Sequence, residues 1–204
     1  MSYFDSIIMH PIAKFLVKWG GGMSDFLTKL FNNKGTIKYG VFDVVFYVLN
    51  KLYELSVNSP EYLPTDMKLQ KLLYFIQGFH MKYNDGALLF NENFQAWVNG
   101  PVVPVVFQQY KYYGTSVISK SEIGSYQSFS KNDTELINSV VEEYGKISPY
   151  QLSELTHRPD TAWKKTRRYY NIADFASCQC VIPNNYIAEE FNHKELKGYT
   201  VNAK

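Results

Sequence analysis

Met67-Lys68-Leu69-Gln70-Lys71-Leu72-Leu73-Tyr74-Phe75 and, further on, Gln95-Ala96-Trp97-Val98-Asn99-Gly100-Pro101-Val102-Val103-Pro104 are the stretches of the 204-residue chain that decide its fold. Leu69, Leu72, Leu73, Ile76 and Phe79 recur at helical spacing. That pattern predicts a long helix from Asp66 to about Tyr83, capped by Thr65 and closed by the turn residues Asn84-Asp85-Gly86. Within it the leucines suit the core, while Lys68, Gln70, Lys71 and Tyr74 are expected nearer a surface. Leu88 to Val98 reads as extended, apolar and aromatic, and Asn99-Gly100-Pro101 imposes a turn. Trp97 is expected to anchor that turn in the core, together with Val102, Val103 and Tyr110. Val103 to Tyr113 returns to helix and ends at Gly114.

Working outward, Val41, Val44, Val45, Val48, Leu49 and Leu52 predict a helix from about Val41 to Leu55, and Pro60 and Pro64 mark a loop after it. Ser116 to Phe129 is polar and reads as a loop. Asp133 is expected to cap a helix through Leu136, Ile137, Val140, Val141 and Tyr144, and Ser148-Pro149 to start another through Leu152 and Leu155. A short helix capped by Asp160 surrounds Trp163, and a last one spans roughly Pro183 to Phe191. The fold class that follows is mainly α, a single helical domain with a small β element. Ahead of it, residues 1–38 form an amphipathic extension with Ile8, Ile12, Phe15, Leu16 and Trp19 on one stripe. Gly20-Gly21-Gly22 breaks the chain before a second stripe containing Phe26 and Leu30. The expected organisation is therefore an extension over 1–38, a domain over 39–192 and a polar tail over 193–204.

Composition narrows the function classes. The formal charge is +2 and 17% of residues are aromatic, carried by 17 Tyr and 14 Phe. That charge is too even for a phosphate backbone to be the principal partner. Lys164, Lys165, Arg167 and Arg168 beside Tyr169 and Tyr170 are the one basic–aromatic cluster, read as a solvated helix end rather than a nucleic-acid face. Cys178 and Cys180, one residue apart, are read as reduced thiols in a cytoplasmic protein. No segment has the continuous apolar length of a membrane span. His10, His80, His157 and His193 are scattered without metal-ligand spacing, and Gly20-Gly21-Gly22 lacks the Lys-Ser/Thr of a phosphate loop. No catalytic residue, metal or cofactor is expected.

The two opening motifs carry a resemblance. Lys-Leu-Gln-Lys-Leu-Leu-Tyr at 68–74 and Ala-Trp-x-x-Gly-Pro-Val-x-Pro at 96–104 are similar to motifs of the SocA-like and GepA-like Panacea domain family. Tyr110-Lys-x-Tyr-Gly114 and Leu152-x-x-Leu-Thr-His157 followed by Trp163 extend the match over roughly residues 39–175. Asn99 stands where the family usually has Tyr. The resemblance implies an antitoxin of a type II toxin–antitoxin system, neutralising a toxin encoded nearby by direct contact and using no catalytic residues. The alternative it allows is a proteolytic adaptor or regulatory binding protein of phage or mobile-element origin, with a protease as partner. Expected toxin contacts are Ile8, Ile12, Phe15, Trp19, Phe26, Leu30, Lys68, Gln70, Lys71 and Tyr74. Leu69, Leu72, Leu73, Trp97, Gly100, Pro101, Thr156, His157 and Trp163 are expected to be structural.

Overall fold

The computed structural model describes residues 38–199; the expected N-terminal helices, with Ile8, Ile12, Phe15, Trp19, Phe26 and Leu30, lie outside the described residues. Helix α1, Val41–Ser56, turns its valines and leucines inward and presents its polar residues to solvent. A 3-10 turn, Pro60–Tyr62, leads to α2, Asp66–Tyr83. Thr65 Oγ1 accepts from Lys68 N at 3.3 Å, as a cap should.

Helix α2 is the axis of the domain. It packs against α1, against the hairpin strand Gly100–Val102, and against Lys131–Tyr144 (α4), Pro149–Thr156 (α5) and Asn184–Asn192 (α7). A helix enclosed on every side has no polar face to give away. Its leucines are in the core as expected. Lys68, Gln70, Lys71 and Tyr74 are buried too, which corrects their expected surface position. Phe75 stacks on Tyr144 with ring centres 4.4 Å apart, and Phe79 meets Phe191 of α7 edge-on at 5.0 Å. Gly78 makes that approach possible: a Cβ there would lie 2.3 Å from the Phe191 ring.

The chain then forms a hairpin, β1 (Gln95–Trp97) paired antiparallel with β2 (Gly100–Val102), Ala96 opposite Pro101. Gly100 turns at φ +101, a left-handed region open chiefly to glycine. The segment Cys180–Ile182 adds to the other edge of β1: Ala96 N donates to Cys180 O at 2.9 Å and Ile182 N to Phe94 O at 2.8 Å. Helix α3 runs Pro104–Tyr110 and tightens into a 3-10 turn, Lys111–Tyr113. It starts one residue later than expected because Val103 is extended and serves as N-cap. Val103, Val102 and Tyr110 are buried.

Three caps follow, two of which differ from the sequence expectation. Ser130, not Asp133, caps α4, its Oγ accepting from Asp133 N at 3.1 Å. Asp133 is instead buried, with Tyr39, Ser130 and His80 around its carboxylate. Burial pushes its pKa up, but the hydrogen bonds from His80, Ser130 and Tyr39 outweigh this and hold it well below the usual carboxylate range. Ser148 caps α5 in a reciprocal box with Gln151, as expected. Thr161, not Asp160, caps α6, Ala162–Tyr169. Among the described residues there are seven α-helices and one two-stranded sheet, a mainly α fold. No described helix is long and apolar enough to cross a membrane.

Gly78→Ala should destabilise the domain by about 1–3 kcal/mol through the Phe191 clash, despite alanine's better helix propensity. Urea unfolding checks this; an unchanged or raised midpoint would show that the Phe191 contact does not constrain the helix.

Candidate functional site

The hairpin is short, and its backbone is held largely by side chains. Arg167 of α6 donates to Ala96 O at 2.6 Å, and Trp163 Nε1 to Trp97 O at 2.7 Å. His157 Nε2 lies 2.9 Å from Val98 O, and Ser153 Oγ donates to Asn99 O at 2.9 Å. From α2, Lys71 Nζ donates to Pro101 O at 3.0 Å, while Gln70 Oε1 accepts from Val103 N at 2.9 Å. Thr156 Oγ1 donates to Ser153 O at 2.7 Å, and the His157 ring rests 3.9 Å from that of Trp163. A Cβ on Gly100 would stand 2.5 Å from Thr156 Oγ1 and 2.8 Å from Lys71 Cε. Gly100 is therefore required twice, by its dihedral and by the space it leaves.

Beside this clamp opens a cavity of about 320 Å³. Asp66, Met67, Gln70 and Lys71 of α2 form one wall and Trp97, Val98, Asn99 and Val102 of the hairpin another, with Phe107 of α3 and residues Ser177–Gln179 completing it. Trp97 is half-buried on this wall, not in the core as expected, with its ring 4.8 Å from Phe107 and Nε1 donating to Gln95 Oε1 at 2.8 Å. Its backbone, rather than its ring, anchors the turn. Among the described residues Trp163, fully buried, is the core tryptophan.

The four polar positions of the first motif part company here. Gln70 and Lys71 line the cavity. Lys68 reaches away, donating to Gly145 O at 2.7 Å and to Glu61 O. Tyr74 donates to the buried carboxylate of Glu190, which also accepts from Ala162 N at 2.7 Å. Burial lowers the Lys71 ammonium to about 7 against the favourable pull of Asp66, and lowers Lys68 to about 8. Burial also raises Asp66 despite its hydrogen bond from Gln70 and the charge of Lys71. Desolvation is thus the dominant influence on Asp66 and Lys71 at the cavity wall.

Two further expectations change. Cys178 and Cys180 are joined as a disulfide rather than held as separate thiols, Cys178 lying in the cavity wall. The basic cluster is not one face: Arg167 is fully buried among backbone carbonyls, Lys164 pairs with Asp174 and Lys165 with Glu189, leaving Arg168 exposed. Sequence reading missed Ser153 and Arg167 as hairpin supports. A signal existed for Arg167, since it lies on the inward face of α6 with Trp163 and Thr166. None existed for Ser153. Among the described residues no group of three His, Cys, Asp or Glu is placed to hold a metal.

This architecture defines a class: a helical domain built around one enclosed helix, with a side-chain-clamped hairpin opening onto a cavity. Residues 69–164 match the family described as Antitoxin SocA-like, Panacea domain. The matched span runs from α2 to α6 and takes in the whole hairpin together with Lys71, Ser153, His157 and Trp163. No curated protein and no solved structure matches the chain.

The clamp yields a pH test. In the folded protein Lys71 loses its proton near 7, in the unfolded chain near its usual 10.5. Between those values the unfolded chain binds more protons, so stability rises with pH; below 7 the burial penalty is present in full. The stability of the wild type relative to Lys71→Met should climb by about 1.4 kcal/mol per pH unit through that window. Lys68 is common to both proteins and cancels. Urea titrations at several pH values measure the difference, and a flat line would contradict the buried ammonium.

Proposed function

We propose that the protein is the antitoxin of a type II toxin–antitoxin pair, acting in the cytoplasm by binding a protein toxin encoded nearby and doing so without catalysis. The observation that carries the reading is the family match, which covers most of the residues lining the cavity: Gln70, Lys71, Trp97, Val98, Asn99, Val102 and Phe107. Those residues give the cavity what an interface anchor needs, an aromatic and aliphatic wall beside a few polar groups on a rigid support. Val98 and Asn99 stand exposed at its rim. The toxin is proposed to seat an apolar side chain there. The amphipathic stripe Ile8, Ile12, Phe15 and Trp19 with Phe26 and Leu30, outside the described residues, is proposed to add contacts.

Co-expression with the adjacent gene tests this. The neighbour alone should arrest growth, the full chain should restore it, and the two proteins should co-purify while toxin level stays constant. Val98→Glu should weaken the complex at least tenfold with an unchanged unfolding midpoint, since the side chain is exposed. A harmless neighbour would overturn the reading. Toxin that disappears only when a protease is present would replace masking with adaptor action.

A further inference from the structure

The chain has two cysteines, Cys178 and Cys180, and they are joined to each other. Both lie in the segment between α6 and α7, so the bond ties no two elements of the fold together. A disulfide stabilises chiefly by closing a loop in the unfolded chain, and a loop this short gains little. The segment is also held without it. Ahead of the pair, Arg167 donates to the carbonyls of Ala173 and Ala176. On its far side, Ala96 N donates to Cys180 O at 2.9 Å and Ile182 N to Phe94 O at 2.8 Å, an attachment to β1 made wholly of backbone. Breaking the sulfur–sulfur bond therefore leaves the fold its supports. The thiols expected from the sequence and the disulfide found in the structure are compatible with one frame, as two states of the same pair.

The two sulfurs are not equivalent. Cys178 is 9% exposed and forms part of the cavity wall with its neighbours Ser177 and Gln179. Cys180 is not part of that wall and is partly exposed. Cys180 N donates to Cys178 Sγ at 3.0 Å, so a thiolate formed on Cys178 has a hydrogen-bond donor already in place. In thiol–disulfide exchange an outside thiolate attacks one sulfur while the other leaves, and the sulfur better able to carry negative charge leaves faster. Access favours attack at Cys180, and the waiting N–H favours Cys178 as the leaving group.

We propose that Cys178–Cys180 is a reversible thiol–disulfide exchange site, attacked at Cys180 by a dithiol reductant, and that its state governs the adjoining cavity wall. A thiolate of the reductant bonds to Cys180 Sγ as the Cys178–Cys180 bond breaks and its electron pair passes to Cys178 Sγ. The second thiolate of the reductant then attacks the reductant sulfur of the mixed disulfide, which releases Cys180 as a thiolate. The two protein thiolates take up the two protons that the dithiol gave, so two electrons and two protons pass from reductant to protein. Cys178 and Gln179 then gain conformational freedom on the cavity wall, while Cys180 O stays on β1. The exchange is independent of the antitoxin reading, since it requires no toxin.

The test uses the full chain, first oxidised with glutathione disulfide and then incubated with dithiothreitol in the absence of denaturant. Alkylation and mass spectrometry should find both cysteines modified, circular dichroism should show unchanged helix content, and renewed glutathione disulfide should restore the bond within a monomer. Tryptophan emission should shift on reduction, because Trp97 shares the cavity wall with Cys178, and Trp97→Phe should abolish the shift. The thiol left in Cys178→Ser should react with an aromatic disulfide about tenfold faster than the thiol left in Cys180→Ser, access being the difference. Both serine variants should keep the helix content of the reduced wild type. A bond that never forms, that resists dithiothreitol until urea is added, or that breaks only with loss of helix overturns the exchange site. Equal or reversed thiol rates overturn attack at Cys180, and an emission that does not shift, or shifts equally in Trp97→Phe, overturns the link to the cavity wall.

Discussion

The constraint on which the rest of the structure depends is the need to satisfy a partly buried hairpin too short to satisfy itself. Two three-residue strands make few ladder bonds, the carbonyls of Ala96 and Pro101 and those of the turn fall outside them, and an unpaired buried carbonyl costs about 1–3 kcal/mol. The domain answers with side chains from α2, α5 and α6 that reach the carbonyls of Ala96, Trp97, Val98, Asn99 and Pro101. One hairpin thereby fixes the relative positions of three helices, and its Gly100-Pro101 turn has to stay free of side-chain bulk where Lys71 and Thr156 close over it. The motifs at 68–74, 96–104 and 152–163, distant in sequence, are parts of one hydrogen-bonded joint.

That joint accounts for the unusual interior of α2. A helix buried all round would ordinarily be apolar all round, yet α2 carries Lys68, Gln70, Lys71, Tyr74, Gln77 and His80 inward. Each has a backbone or carboxylate partner. Gln77 donates to Phe90 O at 2.9 Å while its Oε1 accepts from Leu89 N at 3.1 Å, which ties down the chain leading into the hairpin. Desolvation of the two lysines is a stability cost, visible in their lowered proton affinity, and the hydrogen bonds they make to Pro101, Gly145 and Glu61 offset it. Polar groups in such a core specify geometry: an apolar replacement would fill the space without dictating where the hairpin sits.

The same scaffold bears on the proposed binding role. The cavity wall is displayed by a hairpin whose position is set by buried hydrogen bonds from Arg167 and Lys71. Rigid support reduces the entropy lost when a partner docks.

Local patterns alone determined the helices α1 and α2, the caps Thr65 and Ser148, the turn at Asn99-Gly100-Pro101 and the leucine core, because each depends on residues within a few positions of one another. Caps at Ser130 and Thr161 were one to three residues from those expected, since Ser, Thr and Asp compete for the same role and tertiary contacts choose among them. Only the tertiary structure decided the fate of Lys68, Lys71, Tyr74, Trp97 and Arg167. Their partners lie 77, 30, 116, 66 and 71 residues away along the chain, or face them across a cavity that no periodicity encodes. A polar residue in a helix carries the same local signal whether water or a distant carbonyl is its partner, and packing is what makes the choice.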